Sequence, residues 1–465
     1  MLFQNGNKKA RKGLKIVIVG CGKIGSTLTE KLYKEGHDIT VVDVNGDRLQ
    51  SMAEQYDVMG VQGNGASFQV QKDAGVGNAD LFIAVTDKDE LNLLCCIVAH
   101  FNGKCAAIAR VRTPDYSDEV GFLKTKLDLA MVINPEQQTA HEMARILSLP
   151  EALAVNSFAR GSVEMVRFKI PEGCVLDGQT LMRLGTSFDC DVLICAVERN
   201  REIYIPGGSF ELRSGDVVSF IATMPEARKF FGKIDIRAFD VKRTLIVGGG
   251  KASYYLARHL IENGIGVKII EKDIKRCDEL GELLPQAEII CGDGTNAELL
   301  AEEEIGEADA FIPLTSIDEE NIMLTLYAAD VSDAKVITKI QRKTFHKVIE
   351  RLQLGSIIYP REITAEAIVA FVRGMAASRG NDNIETLYHM FDNRVEAVEF
   401  SVRAESKATN IPLKDLKLRD NTLVACIIRD GQSMIPRGLD EIRTRDNVII
   451  VTTHTGLHVL DDILK

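Results

Sequence analysis

At 465 residues the chain is longer than one hydrophobic core usually serves, so more than one domain is expected. Apolar residues make up 45% of the chain and charged residues 26%, close to the averages for soluble globular proteins, so the composition suggests neither a disordered nor a membrane-embedded chain. A formal net charge of −11 argues against nucleic acid or an anionic lipid surface as the partner, and the basic cluster at residues 8–12 is interpreted as a solvated tail or an expression remnant.

The chain carries neither a long apolar segment nor a cysteine framework. No run approaches the roughly 20 residues that span a bilayer, and the amino-terminal segment lacks a signal-peptide core, which predicts a cytoplasmic protein. Ten cysteines are scattered without a C-x-x-C pair, so all ten are predicted to be reduced core residues and not zinc ligands.

A glycine loop follows the first predicted strand. Residues 14–19 and 39–42 are apolar runs typical of buried strands, and Gly20, Gly22 and Gly25 form a G-x-G-x-x-G pattern between them that opens a helical stretch. The first glycine permits a tight turn, the second lets the backbone approach a pyrophosphate, and the third allows helix and strand to pack closely. The alternative is that these glycines only shape a turn in a fold that has lost its ligand.

Asp43 follows the second predicted strand, 23 residues after Gly20. An acid at this place accepts hydrogen bonds from the adenosine ribose, and its charge repels a 2′-phosphate, which favours NAD over NADP. The ribose of ATP or ADP offers the same hydroxyls, and nothing in the pattern demands a nicotinamide. The predicted ligands are therefore NAD(H) and ATP or ADP.

Three further groups of polar residues leave alternatives open. Asn64 follows the third predicted strand, where its side chain could touch the ribose or base or hold an Asx-turn. Thr86 and Asp89 are predicted to form a helix capping box, the alternative being a metal site. Arg110 and Arg112 alternate near the end of a predicted strand and point either towards phosphates or, on an edge strand, towards solvent.

The first half then changes character. A helical stretch at residues 141–149 leads to alternating segments such as 163–170 and to the turn at Asn200, which together predict a small α+β module rich in hairpins. The polar segment at residues 235–242 is predicted to separate the two halves. The predicted domains of this half are a doubly wound Rossmann-type parallel-sheet domain at residues 13–148 and a small α+β domain at residues 155–235.

The second half repeats the first. Gly248 matches Gly20 at a spacing of 228 residues, and the same spacing carries Asp43 onto Glu271. With one residue more of spacing, Asn64 and Thr86 meet Asp293 and Thr315. The predicted domains are a second Rossmann-type domain at residues 241–375, with a helical stretch at 362–375, and a second small α+β domain at residues 385–465.

The two copies are not equivalent. Ser253 stands where the first copy has its third glycine, and Lys339 and Gln341 replace the two arginines. The first copy therefore has the stronger predicted nucleotide site, and the second is expected to be weaker or specialised.

Catalytic residues do not recur. The sequence has no histidine common to both halves, no G-x-S-x-G elbow and no pair of histidines at a metal-binding spacing. The small modules are also shorter than a typical substrate-binding domain. Two ligand receptors in one chain favour regulation by ligand-dependent conformation. An NAD-dependent oxidoreductase is the alternative, and a scaffold with vestigial sites is the third reading.

These features resemble the RCK family over nearly the whole chain after the first dozen residues. The resemblance implies a non-enzymatic regulatory subunit that binds NAD(H) and ATP or ADP, forms a homotetramer, and gates an integral-membrane potassium transporter of the TrkH type from the cytoplasmic face. No metal site is implied. The predicted nucleotide-binding residues are Gly20, Cys21, Gly22, Lys23, Ile24, Gly25, Asp43, Asn64, Thr86 and Arg110 in the first copy, and Gly248, Gly250, Glu271, Asp293 and Thr315 in the second.

Overall fold

The computed structural model describes residues 13–117, 119–236, 240–342, 346–352, 354–377 and 382–465. The basic cluster at residues 8–12 and the middle of the predicted 235–242 linker lie outside these ranges. One compact unit of the chain ends at Asn134, and the other is Pro135–Lys465. Within the described residues, no helix is both long enough and apolar enough to cross a membrane.

The first unit is a doubly wound sheet of six parallel strands in the order β3-β2-β1-β4-β5-β6. Val17 and Val19 of β1 pack in one core with Phe82, while Ile16 and Ile18 are buried by alternation on the other face. The elements are β1 Lys15–Val19, α1 Lys23–Lys34, β2 Asp38–Asp43, α2 Gly46–Gln55, β3 Met59–Gln62, α3 Phe68–Asp73, β4 Leu81–Ala84, α4 Asp89–Asn102, β5 Ala106–Arg110, α5 Pro114–Ser117, α6 Val120–Lys126 and β6 Met131–Ile133.

The second unit begins with a helix and a five-stranded antiparallel sheet in the order β10-β9-β11-β8-β7. The turn between β9 and β10 contains Asn200 at φ 53°, as its turn propensity predicts. The elements are α7 Pro135–Ser148, β7 Ala154–Phe158, β8 Val163–Lys169, α8 Leu181–Ser187, β9 Leu193–Arg199, β10 Glu202–Tyr204, β11 Val217–Ala222 and α9 Met224–Lys233.

A second doubly wound sheet follows in the order β14-β13-β12-β15-β16-β17, which repeats the topology of the first. The predicted pair of Rossmann-type domains is thereby confirmed. The elements are β12 Arg243–Val247, α10 Lys251–Glu262, β13 Gly266–Glu271, α11 Ile274–Leu283, β14 Glu288–Cys291, α12 Ala297–Glu302, β15 Ala310–Pro313, α13 Asp318–Val331, β16 Lys335–Lys339, α14 His346–Ile349, β17 Ser356–Ile358 and α15 Pro360–Ala377.

The chain ends in a second antiparallel sheet, ordered β18-β19-β22-β20-β21, which matches the first small sheet strand for strand. The residues after α15 that the structure describes form 3₁₀ turns where the first small domain has α8 and α9. The strands are β18 Asp382–Met390, β19 Val395–Val402, β20 Thr422–Arg429, β21 Gln432–Met434 and β22 Asn447–Thr452.

The alternation predicted for the small sheets is wrong in one respect, because β8 and β19 are buried on both faces. Val163 and Met165 of β8 and Val395 and Ala397 of β19 belong to one hydrophobic core that the two small sheets share. Each sheet therefore covers the other, and the face that a single domain would expose to water is apolar.

The prediction that all ten cysteines lie in the core is wrong for some of them. All ten cysteines are free thiols, and most are buried. Cys291 is exposed, because it lies at the end of the edge strand β14, and Cys105 and Cys190 are partly exposed.

A buried ion pair recurs in both small domains. Arg199 Nε and Nη2 lie 2.8 and 2.7 Å from the two carboxylate oxygens of Asp216, whose side chain is 1% exposed. Arg429 and Asp446 repeat these distances in the second domain. The bidentate pair connects the last residue of β9 to the turn before β11, and in the second domain the last residue of β20 to the turn before β22.

We predict that Arg199→Met destabilises the protein by about 3–5 kcal/mol, because it leaves a buried carboxylate without its cation. The free energy of unfolding in urea measures the effect. Arg213→Met is the control, since among the described residues the Arg213 side chain pairs with the exposed Glu211 and not with Asp216, and it should change stability by no more than about 0.5 kcal/mol. Equal losses in the two variants would contradict the prediction.

Candidate nucleotide sites

The glycine loop of the first copy connects β1 to an uncapped helix. Gly20 has φ +101°, and a Cβ there would lie 3.0 Å from the Thr86 nitrogen, so both conformation and space favour glycine. Gly22 is the N-cap of α1 without a side-chain cap, and the first turn carries no acidic residue. A Cβ on Gly22 would meet nothing within 4 Å. The amino terminus of α1 is thus open and suited to an anion.

The third glycine brings the helix onto the loop. A Cβ on Gly25 would lie 1.8 Å from the carbonyl oxygen of Gly20, which no side chain tolerates at this backbone separation. Ser253 stands at the matching position in the second copy, is fully buried, and donates its hydroxyl to the carbonyl oxygen of Gly248. The second loop therefore accommodates the serine by a hydrogen bond, and α10 retains an uncapped amino terminus at Gly250.

Asp43 holds the first loop. Its Oδ2 accepts a hydrogen bond from the Cys21 N–H at 2.6 Å, and its Oδ1 accepts one from the Asn45 N–H at 2.8 Å. A carboxylate has about four acceptor positions, so two backbone donors leave capacity for ribose hydroxyls. The side chain predicted to bind the ribose is therefore oriented before any ligand arrives.

The second copy builds the same contact from different residues. Glu271 Oε2 accepts from the Gly249 N–H at 2.6 Å, and Oε1 accepts from the Asp273 N–H at 2.8 Å. A Cβ on Gly249 would lie 3.0 Å from Glu271 Oε2, so the longer acid takes the space that Cys21 fills in the first copy. Cys21 with Asp43 and Gly249 with Glu271 are thus compensating pairs.

The predicted capping box at Thr86 is wrong, because Lys88 is the N-cap of α4 and no side chain caps it. The Thr86 N–H and hydroxyl both donate to Asn92 Oδ1, at 2.8 and 2.7 Å. Asp89 turns instead to the end of β5, where it accepts from the N–H groups of Arg112 and Thr113 at 2.9 and 2.8 Å. These bonds outweigh burial and lower the pKa of Asp89.

Asn92 is a site-building residue whose role the sequence reasoning missed. Its Nδ2 donates to the carbonyl oxygens of Thr86 and Arg110, which joins the ends of β4 and β5. Asn321 makes the same bonds to Thr315 and Lys339. The clue in the sequence was the exact recurrence of this asparagine in both halves, together with its place on a buried helix face.

Arg110 does not lie on an edge strand, which corrects that alternative. It ends β5, inside the sheet, is 9% exposed, and donates a short hydrogen bond from Nη2 to the Thr86 carbonyl oxygen. Arg112 follows the strand and donates to the Asp87 carbonyl oxygen. Lys339 reproduces the first contact in the second copy, from Nζ to the Leu314 oxygen at 2.8 Å. The cations therefore brace the loop after the fourth strand of each sheet.

Asn64 and Asp293 both form Asx-turns after the third strand of their sheets. Asn64 Oδ1 accepts from the Ala66 N–H at 3.0 Å, and Asp293 Oδ1 accepts from the Thr295 N–H at 2.9 Å. Of the two alternatives for these positions, the turn is the one present in the structure.

The first site has neither a metal-binding cluster nor a reactive thiol among the described residues. Among the described residues no cluster of three or more His, Cys, Asp or Glu side chains could hold a metal ion. Burial and the Asp43 charge raise the pKa of Cys21 to about 12, so its thiol is protonated and unreactive at neutral pH. What remains is an oriented set of backbone donors and one acid, which suits binding.

Both pairs of domains match family models. The TrkA-N domain model matches residues 16–135 and 244–360, and the TrkA-C domain model matches residues 165–234 and 397–465. The chain is 31% identical over 453 residues to the "Trk system potassium uptake protein TrkA homolog" of Archaeoglobus fulgidus, covering 97% of this chain and all of that protein. It is 32% identical to the Halomonas elongata "Trk system potassium uptake protein TrkA", covering 94% of this chain and 95% of that protein.

Solved structures share the fold at low sequence identity. "Crystal Structure of the GsuK RCK domain" aligns with a TM-score of 0.62 and 16% identity, over 96% of this chain and 93% of that one. "GsuK channel bound to NAD" aligns with a TM-score of 0.62 and 17% identity, over 96% and 77% of the respective chains. With both domain models matched twice and relatives above 30% identity along nearly the whole length, this chain belongs to the TrkA family of Trk system potassium uptake proteins.

Proposed function

We propose that this chain is a regulatory, non-enzymatic subunit that binds NAD(H) and ATP or ADP and thereby gates a potassium transporter. The observation that carries the proposal is the open amino terminus of α1 at Gly22, with Asp43 held against the same loop. Phosphates bind at such helix ends, and the acid suits an adenosine ribose. The first copy is the principal site, with Gly20–Gly25, Asp43, Asn64, Thr86 and Arg110 around the nucleotide.

The partner is proposed to be an integral-membrane potassium transporter of the TrkH type, reached from the cytoplasmic side. Relatives that match nearly the whole chain are named Trk system potassium uptake proteins, and a protein of the same fold is titled a channel bound to NAD. A homotetramer is also proposed. Leu94 and Phe101 on α4 support self-association, because they are 49% and 78% exposed and a helix normally buries such residues.

Regulation requires that the ligand bind two conformations with different affinity. A nucleotide at Gly22 would touch the loop that Asp43 holds through the Cys21 N–H, and Thr86 packs against Gly20 in that loop. Thr86 is bonded in turn to Asn92 and Arg110. The ends of β1, β2, β4 and β5 are therefore joined by direct contacts around the proposed ligand.

The nucleotide site is tested by Gly22→Val. A side chain at Gly22 has open space in the folded protein but fills the place of the phosphates, so we expect the affinity for ATP and NADH at the first site to fall at least about tenfold, or 1.4 kcal/mol. Isothermal titration calorimetry measures it. Gly250→Val tests the second site in the same way, and Gly207→Val, equally unobstructed but in a small domain, is the control. Unchanged binding in both loop variants would refute the sites.

The role of Asp43 is tested by the preference of the protein for NADH over NADPH. The parent should bind NADH at least about tenfold more tightly than NADPH, because Asp43 repels the 2′-phosphate. Asp43→Asn removes the charge and should narrow this ratio. The ratio is the informative quantity, since loss of the bond to Cys21 weakens both ligands alike. A ratio that stays the same would place the ribose elsewhere.

Gating is tested in proteoliposomes that contain a TrkH-type transporter together with this chain. Potassium uptake should respond to ATP, ADP or NADH with the parent chain, and Gly22→Val should abolish the response while the chain still associates with the transporter. If potassium uptake does not change with nucleotide although calorimetry shows that nucleotide binds, the gating proposal is wrong and the proposed nucleotide site still stands.

Light scattering of the purified chain should give the mass of a tetramer.

A further inference from the structure

A layer of buried ionisable side chains lies where α7, α15 and the second small sheet meet, outside both glycine-loop sites. Gln138 of α7 and Thr364 of α15 are hydrogen bonded at 3.5 Å, which shows that the two helices are in contact. Glu142 stands one turn after Gln138 and is 9% exposed. Burial of an acid between two helices is costly unless its charge is neutralised or paired.

The neighbouring charges in this layer are paired with one another. His389 Nδ1 lies 3.3 Å from Glu366 Oε1, and His389 Nε2 lies 3.2 Å from Glu396 Oε1. Arg373 Nη2 lies 3.0 Å from Glu396 Oε1, and the Gly456 N–H donates to the same carboxylate at 3.0 Å. Because both ring nitrogens of His389 face carboxylates, the imidazolium form is favoured. The positive charges of His389 and Arg373 then balance the negative charges of Glu366 and Glu396.

Glu142 is the acid of this layer that these ion pairs do not include. Among the described residues it forms no ion pair, and its charged neighbours are Glu366 across the helix contact and Arg145 one turn further along α7. Helix α10 also packs on α7, where His259 stacks on His141 with ring centroids 5.4 Å apart. The remaining groups that share the layer are Tyr388 of β18, Glu164 of β8, and Glu396 of β19.

We propose that the contact between α7 and α15 is a proton-sensitive latch, closed while Glu142 is protonated and loosened when Glu142 ionises. Ionisation would place an unpaired negative charge in a buried layer beside Glu366, and the helices would separate to hydrate it. Deprotonation of His389 acts in the same direction, since it removes the cation between Glu366 and Glu396.

The electrostatics give the direction of the pH dependence. Burial, followed by the Glu366 charge, raises the pKa of Glu142 from 4.5 to about 8. The unfolded chain therefore releases this proton near pH 4.5 and the folded chain only near pH 8, so stability falls as the pH rises through that interval. Burial lowers the pKa of His389, but the bonds to Glu366 and Glu396 prevail and raise it, so its pairs are present in acid and lost as the pH rises.

The latch takes Glu142 from the first copy and His389 from the second, and neither residue has a titratable counterpart in the other copy. The residue of α15 that matches Glu142 is Ala367, and the strand pair His389 and Glu396 is matched by Ser157 and Glu164 in the first small sheet. Helix α7 continues the chain directly from β6, and α15 continues it from β17. The latch thus holds together the two helices that leave the two Rossmann-type sheets. Its use in pH-dependent gating rests on the proposed function, whereas the latch itself does not.

The test is hydrogen exchange of the full-length chain, without nucleotide or transporter, at pH 6.5 and 8.5 with exchange times scaled for the intrinsic rate. Peptides over α7 and α15 should lose protection at least about tenfold at pH 8.5 relative to pH 6.5, and Glu142→Gln should reduce this loss to the part that deprotonation of His389 causes. Glu302→Gln, an exposed glutamate, is the control and should behave as the parent.

A pH-independent protection of α7 and α15 in the parent would overturn the proposal, and so would a Glu142→Gln variant that keeps the parent's pH dependence. Glu142→Met, of similar length and without a titratable group, gives the same test if the glutamine variant does not fold. Because no nucleotide is present, failure here is distinguishable from failure of the proposed nucleotide sites.

Discussion

The hydrogen bond from the glycine loop to the acid at the end of the second strand is the interaction on which both sites depend. It measures 2.6 Å in each copy, from Cys21 to Asp43 and from Gly249 to Glu271. It joins the loop after the first strand to the end of its neighbour, so the amino terminus of the following helix is held in one place. A nucleotide would meet donors and an acceptor that are already oriented, which reduces the entropy cost of binding.

The two copies make the same loop contacts with different residues. A longer acid is matched by a smaller loop residue at Gly249, and the third glycine is replaced by Ser253, whose hydroxyl is satisfied by the loop carbonyl that it approaches. The small sheets bury a shared apolar core. The Ala159 N–H also donates to Glu399 Oε2 of the other copy at 3.0 Å. The described residues of 135–465 therefore form one compact unit in which the two small sheets are in direct contact.

The candidate sites and the proposed latch use opposite physical means. In the proposed function the loops would bind an anion through backbone donors left open at helix ends, where the anion supplies the missing charge. The layer around Glu142 has more acids than cations and must hold a proton to stay buried. Such a protein would respond to two different ligands, a nucleotide and a proton, through separate contacts.

Much of this organisation followed from the sequence. The element order and the location of both loops followed from the periodic apolar runs, the glycine pattern, the acids at Asp43 and Glu271, and a nearly constant spacing between the halves. These patterns arise from local backbone geometry. The tertiary structure decided what local pattern does not encode. It showed that Asp89 and Asn92 turn to β5 and not to a cap, that Arg110 lies inside the sheet, and that β8 and β19 are buried on both faces. Those outcomes depend on partners that lie far away in the chain, and burial among such partners is also what makes Glu142 an unusual acid.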